Sequence, residues 1–285
     1  LFRSKHEAAI SDAALVIRRM TQKEFVQSGE DILNVLMTVD NEYNMNDFEE
    51  KRQDALVALM VTFMKPAALL VVGELKKKRV HALARRIQLI AAISYAASEL
   101  SELPKPESKT VTLIEANTRR WGNALHKVQR VKAVNRFAEV STVYFYGIIG
   151  GVDIQRILGE EDGLEASNVL TALGLIIEAS GESVLELEDM SKEFLQFASV
   201  LTALVPPNAR KSLLFGITCA IRAMPSYEGN TSLIDYLVDR VDNDPDQDCR
   251  SLAGTAIGII SQRHQNRMDR LFTSQSDLYL TKDDR

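Results

Sequence analysis

Residues 244–263 read DPDQDCRSLAGTAIGIISQR, and this stretch decides the fold that we predict. Asp244 can accept hydrogen bonds from the free N–H groups at the start of a helix, and Pro245 suits the first helical position. Apolar residues then recur at spacings of three and four, which places them on one side of the helix: Cys249, Leu252, Ala253, Ala256, Ile257, Ile259 and Ile260. The stretch therefore predicts an amphipathic helix that begins at Pro245.

The apolar side of this helix mixes small residues with branched ones. Together with the acidic first turn, the Cys249–Arg250 pair and the step from Ala253 to Ile257, this mix resembles the second helix of a HEAT repeat. In such repeats each helix pair buries its apolar stripe only by stacking on the next pair. An ordinary capped amphipathic helix accounts for the same residues, so other parts of the chain must distinguish the two.

The composition favours helices throughout. The chain has 285 residues and is 46% hydrophobic, while its 14 glycines and 7 prolines are too few for the turns of an all-β protein. Helical patterns recur in pairs at roughly 40 to 47 residues, the period of HEAT-type repeats. We predict an all-α, HEAT-like α-solenoid of antiparallel helix pairs.

We divide this solenoid into N-terminal helical repeats (1–103), a loop-rich basic connection (104–133), C-terminal HEAT-like helical repeats (134–264) and a polar tail (265–285). Within it we predict a helix pair over the first 37 residues and a helix that ends at Lys65–Pro66. Residues 135–149 are rich in valine and aromatics, which favours a strand by propensity, but the flanking helical patterns favour a helix, which we predict.

The charge, cysteine content and hydropathy exclude several classes of protein. A net charge of −5 argues against a general nucleic-acid binder, since affinity for a polyanion needs clustered cations. Cys219 and Cys249 fall on apolar helix sides, as expected of reduced thiols in the cytosol or nucleus. No apolar run is expected to reach membrane-spanning length. The first residue is Leu1 and no signal-like segment follows, so we expect the numbering to begin inside a longer protein.

Catalytic and metal-binding patterns are missing from the sequence. The four histidines have no second ligand at helical spacing: His6, His81, His126 and His264. The glycines of residues 147–151 lack the spacing of a phosphate loop and are typical of a helix end. Paired acids such as Glu160–Glu161 are explained by solubility. We predict no catalytic residue, no cofactor and no metal, with an enzyme as the minority alternative.

Charge is distributed unevenly along the chain. Residues 76–86 form a basic tract without acids, residues 119–136 form a second, and acids dominate residues 153–200. Such asymmetry can orient a protein partner, although solvated helix faces explain it as well. Trp121 is either a core residue of the central connection or an interface residue. We predict partner binding by Arg85, Arg86, Arg119, Arg120, Trp121 and Arg136.

Several tracts resemble the telomere length regulation protein family, the Tel-two subunit of the TTT co-chaperone, in its C-terminal half. They are residues 85–90 with 96–101, residues 118–121, residues 135–137 with 143–146, and residues 244–250. Their order and spacing fit the family from about Val71 to Met268, and the first seventy residues match only in helical character. The tracts at Asn135 and Asp244 are the most specific.

The resemblance implies an α-helical solenoid in the cytoplasm and nucleus that binds the partner subunits Tti-one and Tti-two. That trimer passes phosphatidylinositol-3-kinase-related kinases (mTOR, ATM, ATR, SMG-type and DNA-PK-type) to a heat-shock chaperone and its AAA+ adaptor complex, and so supports telomere maintenance and checkpoint signalling. Direct nucleic-acid or membrane binding is not implied. The family's acidic serine motif has no counterpart here, because Ser101 and Ser108 lie among lysines and prolines. A DNA-binding telomere protein that uses the basic tracts is the alternative.

Overall fold

The structure is a computed structural model that describes residues 2–77, 82–101, 135–151, 163–227 and 229–280, with only the backbone described for 2–4, 6 and 270–280. Regular structure in these ranges is helical, without a strand. The helices are α1 (Phe2–Arg19), α2 (Gln22–Thr38), α3 (Phe48–Lys76), α4 (Leu83–Ser101), a 3-10 helix (Arg136–Glu139), α5 (Ser141–Gly151), α6 (Leu164–Ser180), α7 (Leu187–Leu201), α8 (Pro207–Ala223), α9 (Thr231–Asn243) and α10 (Gln247–Leu280). The all-α prediction is confirmed.

Successive helices form pairs that stack on one another. The pairs are α3 with α4, α5 with α6, α7 with α8 and α9 with α10. The second helices of these pairs form one continuous layer in which α4, α6, α8 and α10 each pack on the next. Within it, α6, α8 and α10 start 43 and 40 residues apart, at Leu164, Pro207 and Gln247. This is the α-solenoid arrangement that the sequence predicts.

Helix α3 is the centre of the first part of the chain, because α1, α2, α4 and α5 all pack on it. It is bent at Met64, whose backbone has φ 21° and ψ −96°. The bend precedes Pro66, which has no N–H to continue the helical hydrogen bonding and cannot fit a straight helix interior. The predicted helix end at Lys65–Pro66 is thus confirmed to within one residue.

The prediction that no apolar run reaches membrane-spanning length is wrong for α3. By length and composition this helix could cross a membrane, but 67% of its most apolar window is buried inside the protein. Its neighbours cover it on several sides, which explains why both of its faces are apolar. The helix is therefore built as the core of the solenoid's first part.

Residues 135–149 form a 3-10 turn followed by α5, which confirms the helical prediction. Tyr144, Phe145 and Ile148 of α5 are completely buried. Gly147 allows α5 to approach α3, since a Cβ there would lie 2.3 Å from Cγ2 of Val72. Burial against neighbouring helices outweighs the β propensity of this valine-rich and aromatic stretch.

The stretch at residues 244–263 folds as an amphipathic helix, as predicted, but it starts two residues later than expected. Asp246 is the capping residue, because its carboxylate accepts a hydrogen bond from the Asp248 N–H at 2.9 Å. The apolar side is buried at Cys249, Ala253, Ala256 and Ile260. Helix α10 continues to Leu280, so residues 265–280, which we predict to be a polar tail, are helical.

Candidate partner-binding surfaces

Arg85 lies in the first turn of α4 and binds the connection between α2 and α3. Its guanidinium donates hydrogen bonds to the Val39 carbonyl oxygen at 2.6 Å and to the Asp40 carboxylate at 2.7 Å. The Arg85 side chain is only 14% exposed. The positive charge that predicts a partner-binding residue is therefore directed to groups of the same chain.

Arg86 lies deeper and joins α4 to α6. Its guanidinium is 3.3 Å from the Glu165 carboxylate, and the two side chains are 8% and 0% exposed. A buried ion pair of this kind fixes the relative positions of two elements, since either charge alone would be costly in the interior. Arg86 thus has a structural role, and its predicted contact with a partner remains a prediction.

Arg52 belongs to the same region, although the sequence analysis does not single it out. It is buried in α3, donates to the Val39 carbonyl oxygen at 3.2 Å, and also contacts Glu49 and Gln88. Together with Arg85 it satisfies the carbonyl at the end of α2. The only feature of the sequence that points to Arg52 is its position four residues after Phe48, on the same side of the helix. In the structure the Phe48 ring centroid lies 5.4 Å from the guanidinium carbon of Arg52.

Arg136 remains at the surface. Its guanidinium donates a weak hydrogen bond to the Val61 carbonyl oxygen at 3.3 Å, just before the bend of α3. The neighbouring Glu139 forms an exposed ion pair with Lys65 at 3.6 Å. The other predicted partner-binding residues, Arg119, Arg120 and Trp121, lie outside the described residues, so the structure does not test whether the six residues share one surface.

The acidic part of the sequence contributes a negatively charged surface at α7. Tyr146 of α5 lies beside it, and its pKa is raised first by partial burial and then by the negative charges of Glu193, Asp189 and Glu186. Lys192 neutralises part of this surface through Glu188, at 3.0 Å. The structure thus brings some of the acids of residues 153–200 together, as the charge distribution suggests.

Asp244 occupies a buried position between α8 and α9. Its carboxylate is within 3.1 Å of the Arg210 guanidinium and 3.4 Å of the Arg240 guanidinium, and it accepts a hydrogen bond from the Asp246 N–H at 3.0 Å. Burial disfavours the charge, but these three donors favour it more, and the pKa of Asp244 lies below its ordinary value. Asp244, the first residue of the Asp244–Asp246 motif, therefore joins the α7–α8 pair to the α9–α10 pair.

An open apolar groove lies between α1 and α2. We predict these helices to be an antiparallel pair; each packs mainly on α3, and a groove of about 710 Å³ lies between them. Its walls are mostly apolar: Ala8, Ala9, Ile10, Ala13, Val16, Ile17, Met20, Ile32, Val35 and Leu36. Three charged residues complete the lining: Lys5, Asp12 and Asp31. Val16 and Val35 are each 56% exposed, so the described helices leave apolar surface uncovered there.

The described side chains offer little for catalysis or metal binding. They contain no cluster of three or more histidine, cysteine or acidic residues that could hold a metal ion. Burial is the main cause that raises the pKa of Cys219 to about 12 and that of Cys249 to about 11. At neutral pH neither sulfur is a thiolate, so neither is activated as a nucleophile.

Comparison with known proteins shows which family the chain is similar to. The sequence model of the telomere length regulation protein family matches residues 2–97. A telomere length regulation protein TEL2 homolog from Xenopus laevis is 25% identical in a match that covers 83% of this chain and 33% of the relative. The chain is thus similar to the telomere length regulation protein family, through the family model in its first third and through this relative over most of its length.

Two further members of this family are similar over comparable ranges. The TEL2 homolog of Xenopus tropicalis is 23% identical over 92% of the chain, and that of Homo sapiens is 24% identical over 84%. The chain spans about a third of the length of these relatives, 36% and 33% respectively. No solved structure matches the chain. The names of these relatives describe regulators of telomere length.

The family match corrects one part of the sequence analysis. Residues 2–97 include the first seventy, where we find only helical character by inspection. The groove between α1 and α2, the bend in α3 and the arginines of α4 all lie inside the matched range. The features described above for the N-terminal part therefore lie where the chain matches the telomere length regulation family model.

Proposed function

We propose that this chain is part of a non-enzymatic scaffold, a subunit of the TTT co-chaperone that supports the folding, stability and assembly of phosphatidylinositol-3-kinase-related kinases. The observation that carries the proposal is the similarity to TEL2 homologs over more than four fifths of the chain, 83% to 92%. Through these kinases the protein would act on telomere maintenance and on checkpoint signalling.

The surfaces of the solenoid support a role in protein binding. An accessible apolar groove lies at α1 and α2, and an acidic surface lies at α7. Accessible apolar patches and charged surfaces of one sign are features of protein interfaces. Stacked helix pairs also keep both surfaces at fixed positions along the array.

The proposed partners are the subunits Tti-one and Tti-two, the kinases of the mTOR, ATM, ATR, SMG and DNA-PK types, and a heat-shock chaperone with its AAA+ adaptor complex. The proposed location is the cytoplasm and the nucleus. In this scheme the solenoid contributes binding surfaces, and the chaperone supplies any energy from ATP.

Affinity purification of the full-length protein from its own cells tests the proposal. We expect both Tti-type subunits to co-purify in near-stoichiometric amounts, and we expect depletion of the protein to lower the steady-state levels of several of these kinases together. Normal kinase levels after depletion, or purification without either subunit, would refute the proposed function.

Direct DNA binding through the basic tracts receives less support from the described residues. Arg85 and Arg86 are both engaged by carboxylates of the same chain. Phosphate contacts need cations that can reach the nucleic acid, and they give affinity that falls steeply with salt. A filter-binding titration that found tight, strongly salt-dependent affinity would favour this alternative over the scaffold.

A further inference from the structure

We draw no further inference here: the strongest candidate, the acidic surface at α7 where Glu186, Asp189 and Glu193 lie near Tyr146 of α5, is a cluster of acidic side chains, and nothing in the described part of the chain shows what binds it.

Discussion

The guanidinium of Arg86 lies 3.3 Å from the carboxylate of Glu165, a residue 79 positions further along the chain, and the pair is almost completely buried. This contact joins the solenoid's first part, which contains α1 to α4, to the layer that continues through α6, α8 and α10. The charge of Arg86 thus contributes to the internal arrangement of the helices.

Replacing Arg86 with alanine leaves the Glu165 carboxylate in the interior without this cation. We expect the free energy of unfolding to fall by about 3 to 5 kcal/mol, as for other buried pairs that lose one member. Urea denaturation followed by circular dichroism measures the change. The double variant Arg86→Met/Glu165→Leu, which removes both charges, should regain most of the loss, and a single variant as stable as wild type would contradict the structural role.

Replacing Asp244 with asparagine removes the charge shared by Arg210 and Arg240. We expect a loss of about 2 to 3 kcal/mol at pH 7, because both guanidinium groups are partly buried. The exposed Asp12→Asn serves as control and should change stability by less than about 0.5 kcal/mol.

The effect of Asp244 should depend on pH. Its pKa in the folded protein lies below the ordinary value of 3.8, so the charged form stabilises the fold above that pH. As the pH falls below 3.8 and through the folded pKa, this stabilisation is lost. The difference in the free energy of unfolding between wild type and Asp244→Asn should therefore become smaller in acid. Urea titrations at a series of pH values, from pH 6 down to values below 3.8, measure this difference. A difference that stays constant over that range would argue against the ion pair.

Helices α6 and α8 approach each other through glycines. A Cβ added to Gly174 would lie 2.9 Å from the Gly216 Cα, a backbone atom that cannot move aside like a flexible side chain. We expect Gly174→Ala to destabilise the protein by about 1 to 3 kcal/mol. In Gly258→Ala nothing lies within 4 Å of the new Cβ, so the better helix propensity should stabilise by about 0.5 to 1 kcal/mol. Chemical denaturation of both variants should give shifts of opposite sign.

Both cysteines should be unreactive in the folded protein. Cys219 is 3% exposed and Cys249 is 1% exposed, and burial raises the pKa of each thiol. At pH 8 a disulfide reagent such as Ellman's should label neither thiol within the time that labels both in urea. Fast labelling of the native protein at either position would show that α8 or α10 opens more often than its packing indicates.

The spacing of apolar residues is enough to predict the helices and their stacking as a solenoid, because it depends only on residues close together in the sequence. Pro66 indicates the bend in α3, and the apolar spacing after residue 244 defines the buried side of α10. Residues 135–149 show how far this reasoning extends: their local propensity favours a strand, and only the neighbouring helices indicate the observed one.

The partners of the charged residues depend on contacts distant in sequence, and periodicity does not report these. The tract around Arg85 and Arg86 suggests an open basic surface, whereas in the structure Arg85 pairs with Asp40 of the connection between α2 and α3 and Arg86 pairs with Glu165 of α6. Asp244 is predicted to be a helix cap but pairs with two arginines, and Asp246 caps the helix instead. Predicting these roles would have required knowing which helices pack together.

The single-file order of α4, α6, α8 and α10 has a mechanical consequence. Force applied along such a file passes from each helix to the next through the surface that the two share, so the file can yield at one junction while the remainder stays assembled. A solenoid with this property can bend under load without losing its fold.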